Sequence, residues 1–284
     1  MHPEIQVSGY ATNQELGQKC DKNLAEAMSQ DWTSYFCRVN DKLASIRLDL
    51  GIRSSVPDPV RPWLLWIWVY FKQPRPDGLS SDKEFENLCL LEDALKSALE
   101  KRCGAVLSGC VTTDGRREFY FYGSTPERFE ETVNQTVGLS HGYKFDCDKQ
   151  QDAGWTQYLS VLYPSEEQRE LIENRKLLDV LREKGDKLEL ARDVSHWARF
   201  ENQVDRAAFW NAIEPLGYRI DSEYENPHDE YRFRICIVRR QDMSANAVDD
   251  AVIQLFRASK AARGQYDGWE CELIAHTKPE NEAS

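Results

Sequence analysis

Residues 105–123 read AVLSGCVTTDGRREFYFYG, and the fold is decided there. Asp114-Gly115 is the pair best suited to the positive φ angles of a two-residue type I′ turn. Before it, Val106, Ser108, Cys110 and Thr112 alternate with Leu107, Gly109 and Val111. After it, residues 118–122 (EFYFY) have the aromatic content of a strand buried on at least one face. The stretch predicts a β-hairpin, and the helix-patterned segments on either side make it the middle of a sheet on which helices pack.

Working outward, Leu88, Leu91, Leu95 and Leu99 recur at helical spacing and predict a helix over residues 83–102, capped near residues 80–82 and ended by Cys103-Gly104. Downstream, Ser124-Thr125-Pro126 supplies a cap and a proline for a second helix with Phe129, Val133 and Val137 inward. Residues 143–147 then form a closing strand. Upstream, residues 63–71 (WLLWIWVYF) have strand composition, separated from the first helix by the loop KQPRPDG at residues 72–78. Residues 34–39 and 43–50 make a further hairpin, joined to that strand by the proline-rich residues 54–62. Without this first hairpin the order is β-α-β-β-α-β, the split βαβ arrangement of a ferredoxin-like sandwich. Residues 1–31 read as a polar leader, with an indistinct helical stretch at 15–28.

Residues 155–164 (WTQYLSVLYP) read as a junction. Ser165-Glu166-Glu167-Gln168 has capping-box spacing and opens a helix with Leu171, Leu178 and Leu181 on its inner side, stopped by Lys184-Gly185-Asp186. This helix suits a link between domains. A strand (190–200), a helix (203–214), paired strands (218–224 and 231–239), a helix (245–262) and a strand (265–274) repeat the order β-α-β-β-α-β. The expected fold is therefore α+β, with two ferredoxin-like βαββαβ sandwich domains at residues 32–163 and 164–276. The first carries the extra N-terminal hairpin, and a disordered tail follows at 277–284. The halves share almost no residue identity, so the repeat is architectural.

A net charge of −12 over 284 residues argues against a general nucleic-acid surface, which needs clustered Lys and Arg. It suits a basic protein partner or simple solubility. The first residues lack a basic stretch followed by an apolar run, and WLLWIWVYF is too short to span a bilayer as a helix. The eight scattered cysteines have no CxxC pair and read as reduced thiols, so a cytoplasmic protein without membrane contact is expected.

No metal-ligand spacing, phosphate-binding glycine loop or catalytic motif is present, and no cofactor is expected. Asp193, Ser195 and His196 lie close in sequence, but strand alternation puts Asp193 and Ser195 on one face and His196 on the other. His196 is then a structural or an interface residue. Arg116 and Arg117 offer an anion contact only if both reach one side, and adjacent strand residues point apart. On residues 231–239, Tyr231, Phe233, Ile235 and Ile237 read as the core face, which disfavours RNA stacking on them. Trp66 and Trp68 share one strand face and Trp63 the other; if a sheet face is open, they become protein-contact candidates.

Two parts of the chain resemble known families. PWLLW at 62–66, PRPDGL at 74–79 and TTDGRREFYFY at 112–122 are similar to an uncharacterised bacterial family known only as a domain of unknown function, across residues 32–163. That family implies no activity. Lys184-Gly185-Asp186, Val194-Ser195-His196-Trp197 with Phe200, Leu216-Gly217-Tyr218 and Tyr266-Asp267-Gly268-Trp269 resemble the family named regulator of ribonuclease E activity B, across residues 166–274. The resemblance implies a small cytoplasmic α+β protein that binds a ribonuclease and alters its activity without chemistry of its own. The N-terminal domain and the loop ENPHDE (225–230) depart from the pattern.

The expected function is a non-enzymatic protein-binding regulator. His196, Trp197, Asp267, Trp269, Arg116 and Arg117 are its candidate partner-binding residues. Structural roles stand beside these, with Asp267-Gly268 as a turn or bulge and Trp269 as a plug between helix and sheet. Two alternatives are an immunity or antitoxin protein that neutralises a basic toxin, and an enzyme using an inter-domain cleft.

Overall fold

The computed structural model describes residues 6–8 and 31–274. The expected helix at 15–28 and the tail at 277–284 lie outside them. The chain divides into two compact units, Lys22–Ser165 and Glu166–Ser284 with Met1–Asp21. The first described strand, β1 (Gln6–Ser8), belongs to the second unit.

The first unit contains β2 (Trp32–Val39), β3 (Lys42–Asp49), β4 (Trp63–Tyr70), α1 (Asp82–Cys103), β5 (Val106–Thr113), β6 (Arg116–Gly123), α2 (Phe129–Val133) and β7 (Lys144–Gln151). The sheet order is β2-β3-β5-β6-β4-β7, with every pair antiparallel. The βαββαβ core thus has its first and third strands (β4, β6) inside and its fourth and second (β7, β5) outside, the ferredoxin-like arrangement. The extra hairpin β2–β3 extends the β5 side. β5 and β6 occupy the middle of the sheet, joined by Asp114 (φ 47°) and Gly115 (φ 78°), the turn the sequence predicts.

One sheet face packs Leu65, Ile67, Val69, Phe119 and Phe121 against Leu88, Leu91, Leu95 and Leu99 of α1 and Phe129, Val133 and Val137. Full burial of each such side chain stabilises the fold by roughly 1.5–3 kcal/mol. Two features depart from what the sequence predicts. Ser124-Thr125-Pro126 does not cap a helix: the Ser124 hydroxyl donates to Cys103 O at 3.0 Å, and Arg128 takes a left-handed φ of 59° before α2 begins. After five residues α2 widens into a π-helical turn, Asn134–Ser140.

Residues 155–164 are also no mere junction. Their π-helical turn, Gln157–Leu162, lies on the opposite sheet face. There Trp155 stacks on Tyr122 (centroids 3.8 Å apart), Tyr158 Oη donates to Asp49 O at 2.8 Å, and Tyr35 Oη donates to Leu162 O at 2.9 Å. Gly109 permits the approach, since a Cβ there would meet Arg47 O at 2.8 Å and Leu162 Cδ1 at 3.2 Å. Asp152 fixes the segment's entry, accepting from Tyr122 Oη and the amides of Thr156 and Gln157.

The second unit contains α3 (Glu166–Glu183), β8 (Arg192–Phe200), α4 (Gln203–Ile213), β9 (Arg219–Glu225), β10 (Phe233–Gln241), α5 (Ala245–Ala261) and β11 (Gln265–Glu272). Its antiparallel sheet has the order β1-β11-β8-β10-β9, the same core arrangement with β1 added at the β11 edge. The expected polar leader therefore contributes a strand. α3 belongs to this unit's helix layer: Leu177, Leu178 and Leu181 share a core with Val248, Val252 and Leu255 of α5. Among the described residues no helix is long and apolar enough to cross a membrane.

Candidate functional site

Strand alternation sorts β8 into two sets of side chains. Arg192, Val194, His196, Ala198 and Phe200 are buried; Asp193, Ser195, Trp197 and Arg199 lie on the other face and are at least partly exposed. His196 is completely buried, with Nδ1 2.8 Å from Tyr266 Oη and Nε2 3.4 Å from Gln241 Oε1. The Gln241 oxygen can only accept, so the ring carries its proton on Nε2 and Nδ1 accepts from Tyr266. Burial pushes the His196 pKa down to about 3; the Gln241 bond opposes this and the charge of Arg239 adds to it. The residue is a neutral core histidine.

Tyr266-Asp267-Gly268-Trp269 divides its work between the two faces. Tyr266 meets His196 in the core, and Trp269 is buried with Nε1 donating to Asn174 Oδ1 of α3 at 2.6 Å. Asn174 Nδ2 donates on to Asp249 of α5, so this tryptophan pins two helices to the sheet. Between them the register with β8 shifts, and Gly268 takes φ 93°, a conformation that favours glycine. The bulge leaves Asp267 near Arg199 on the open face, 3.8 Å from its Nε.

Lys184-Gly185-Asp186 is structural as well. Asp186 accepts from both terminal guanidinium nitrogens of Arg192 and from the amides of Leu188 and Ile274, tying the end of α3 to β8 and the end of β11. Burial alone would raise its carboxyl, but these bonds hold it below the ordinary value.

The open face is built around Trp197. Cys236 and Ser222, in line with it across β10 and β9, are small and leave room for its ring to lie near Tyr224, with centroids 5.9 Å apart and planes 29° apart. Arg199 and Arg234 are direct ladder partners. Arg199 donates twice to Gln265 Oε1 and lies 5.4 Å from the Tyr231 ring centroid, while Arg234 donates to Asp229 at 2.7 Å. Burial raises the Asp267 carboxyl although Arg199 and Arg234 pull it down. The result is an aromatic shelf beside alternating arginines and carboxylates, which suits recognition of a protein surface of mixed charge.

The candidates therefore separate. Trp197 and Asp267 share the open face, whereas His196 and Trp269 are enclosed in the core and reach no partner while the unit is folded. In the first unit Arg117 is buried, donating to Thr112 Oγ1 at 3.1 Å, and Arg116 lies on the opposite face over Trp68. They form no common anion fork. Tyr224, Arg199 and Arg234 escaped the sequence reading. The odd-numbered positions of β8 were a signal for Arg199, but the pairing of β9 and β10 was needed for the others. Among the described residues, no group of three or more His, Cys, Asp or Glu is placed to hold a metal ion.

Residues 171–271 match the family model for regulator of ribonuclease activity B. This span includes Trp197, Tyr224, Arg199, Arg234 and Asp267. Residues 30–163 match the model of a family of unknown function, DUF695. No curated protein matches the chain. Among solved structures, one described as a glycine cleavage system transcriptional repressor is 13% identical, with 74% of this chain and 97% of that chain covered at a TM-score of 0.24. A protein from Galdieria sulphuraria of unknown role is 9% identical, with 75% and 99% covered at a TM-score of 0.21.

Proposed function

We propose that this protein is a non-catalytic regulator that binds a ribonuclease and changes its activity, with residues 32–163 as one domain and residues 164–276, joined by the strand β1, as the other. The observation that carries the reading is the match of residues 171–271 to regulator of ribonuclease activity B. The open face within that span supports binding, since Trp197 and Tyr224 are aromatic anchors of the kind that dominate protein interfaces. The protein acts in the cytoplasm, where the seven described cysteines, all free, stay reduced.

Passing cell lysate over the immobilised chain, with and without ribonuclease treatment, tests the partner. A ribonuclease retained in stoichiometric amount after RNA is removed, and slowed or accelerated saturably by the purified chain in a cleavage assay, is the expected result. Retention of no ribonuclease, with cleavage rates unchanged by the chain, overturns the reading.

A further inference from the structure

The first unit has a surface that the ribonuclease reading does not use. On the sheet face opposite its helices, Leu64 and Tyr122 are buried. Farther along β4, on the same face, Trp66, Trp68 and Tyr70 are half-exposed. Trp66 and Trp68 lie side by side, centroids 5.1 Å apart. Their ladder partners on β7 are the exposed Asp148 and Asp146.

Two tryptophans of the unit each hold a cation. Over Trp32 sits the Arg47 guanidinium, 4.3 Å from the ring centroid, and Arg47 is paired with the buried Glu92 at 2.8 Å. Over Trp68 sits Arg116, 4.4 Å from the centroid, paired with the buried Glu118 at 2.6 Å. Each is a three-part arrangement of indole, cation and carboxylate, in which the ring face and the anion attract the same charge. Trp66 has the ring and, in Asp148, the carboxylate. Among the described residues no cation stacks on it, and Asp148 accepts a bond only from the Lys149 amide.

We infer that Trp66 and Asp148 form a docking site for an arginine or lysine side chain carried by a basic segment of a partner protein. Asp146, two residues away on the same strand face, accepts from Tyr70 Oη at 2.6 Å and offers a second carboxylate. Two such positions along β7 are about 6.8 Å apart, which matches alternate side chains of an extended peptide. The net charge of −12 draws such a segment in and repels nucleic-acid phosphates from the same carboxylates.

The test follows the indole N–H resonances of the full chain by ¹H–¹⁵N NMR, with Trp66 assigned from its loss in Trp66→Phe. The peptide Arg-Ser-Arg-Ser-Arg, its glutamate counterpart and a single-stranded RNA oligonucleotide are the probes. The arginine peptide is expected to shift the Trp66 resonance saturably and more weakly at high salt. In Asp148→Asn its affinity should fall about fivefold, as loss of one partly exposed charge pair implies, with the remaining indole resonances unmoved. An unmoved Trp66 resonance, equal affinity in Asp148→Asn, or a response to RNA or the acidic peptide in place of the basic one would each overturn the proposal. These outcomes are independent of whether a ribonuclease binds the second unit.

Discussion

The two units wind the same βαββαβ order and dispose of their second sheet face differently. In the first, the chain folds back after β7, and Trp155, Tyr158 and Leu162 cover most of the face, leaving the end at Trp66 and Trp68 accessible. In the second, Trp197, Tyr224 and the paired arginines remain at the surface. The cores differ as well: the first core strand of the first unit, β4, turns Leu65, Ile67 and Val69 inward, whereas its counterpart β8 in the second turns in His196, bonded to Tyr266 and Gln241. Topology thus follows from periodicity common to both halves. The surface available for binding follows from what each half leaves uncovered.

The largest effect expected from breaking this comparison is removal of the covering segment. Trp155→Ala deletes a fully buried ring stacked on Tyr122 and should cost about 3–5 kcal/mol in denaturant unfolding of the first unit. The loss should fall on that unit's transition, seen with residue-resolved hydrogen exchange, while β8 to β11 keep their protection. A cost below about 1 kcal/mol would mean that the segment is not part of the core.

Acid should sharpen the difference between the interiors. The folded second unit keeps His196 neutral down to about 3, whereas the unfolded chain takes up the proton near its ordinary value of 6.5. Between these values the unfolded state binds more protons, so this contribution to stability is complete above the unfolded value and falls with acid. From pH 6.5 to 5 the loss amounts to about 1.6 kcal/mol. Glu170, whose carboxyl burial pushes up to about 7, works in the opposite direction across that window. The readout is therefore the difference between the native chain and His196→Gln, which share Glu170. The variant should lose less stability on acidification, and parallel pH profiles would contradict the neutral buried histidine.

A smaller effect is expected at the bulge. Gly268→Ala forces a Cβ onto a residue at φ 93° and should cost about 1–2 kcal/mol while displacing Asp267 from Arg199. Chemical shifts of Arg199 and Gln265 would report the displacement. If they stay in place, the bulge does not position Asp267.

What the sequence discloses has a physical pattern. The hairpin at 105–123 is legible because Asp114-Gly115 and the aromatic run at 118–122 are local signals. The start of α2 is not: Ser124-Thr125-Pro126 is a good cap in isolation, yet Ser124 bonds Cys103 and Arg128 breaks the helical path. Residues 155–164 read as a junction because their apolar side chains answer to a sheet face built from β3, β5 and β6, a pairing with no trace in the segment itself. For the site, alternation separates His196 from Trp197 correctly. It cannot supply the register that brings Tyr224 to Trp197 or sets Arg199 opposite Arg234.

The smallest effect on stability should accompany the clearest effect on binding. Trp197→Ala removes a half-exposed ring whose contact with Tyr224 is worth roughly 1 kcal/mol, so the unit stays folded and its thermal transition moves little. If the open face is where the partner docks, the same substitution removes an interface anchor and should weaken the complex by about 2 kcal/mol, or roughly thirtyfold in Kd. Trp269→Phe is the matching control in the core. It loses the bond to Asn174 and lowers stability, but at temperatures where the unit remains folded it should leave Kd unchanged. Equal affinity for the Trp197→Ala protein would move the docking surface off this face. Weakened affinity for both variants would mean that binding reads the integrity of the whole unit, because only the first of the two rings can reach a partner.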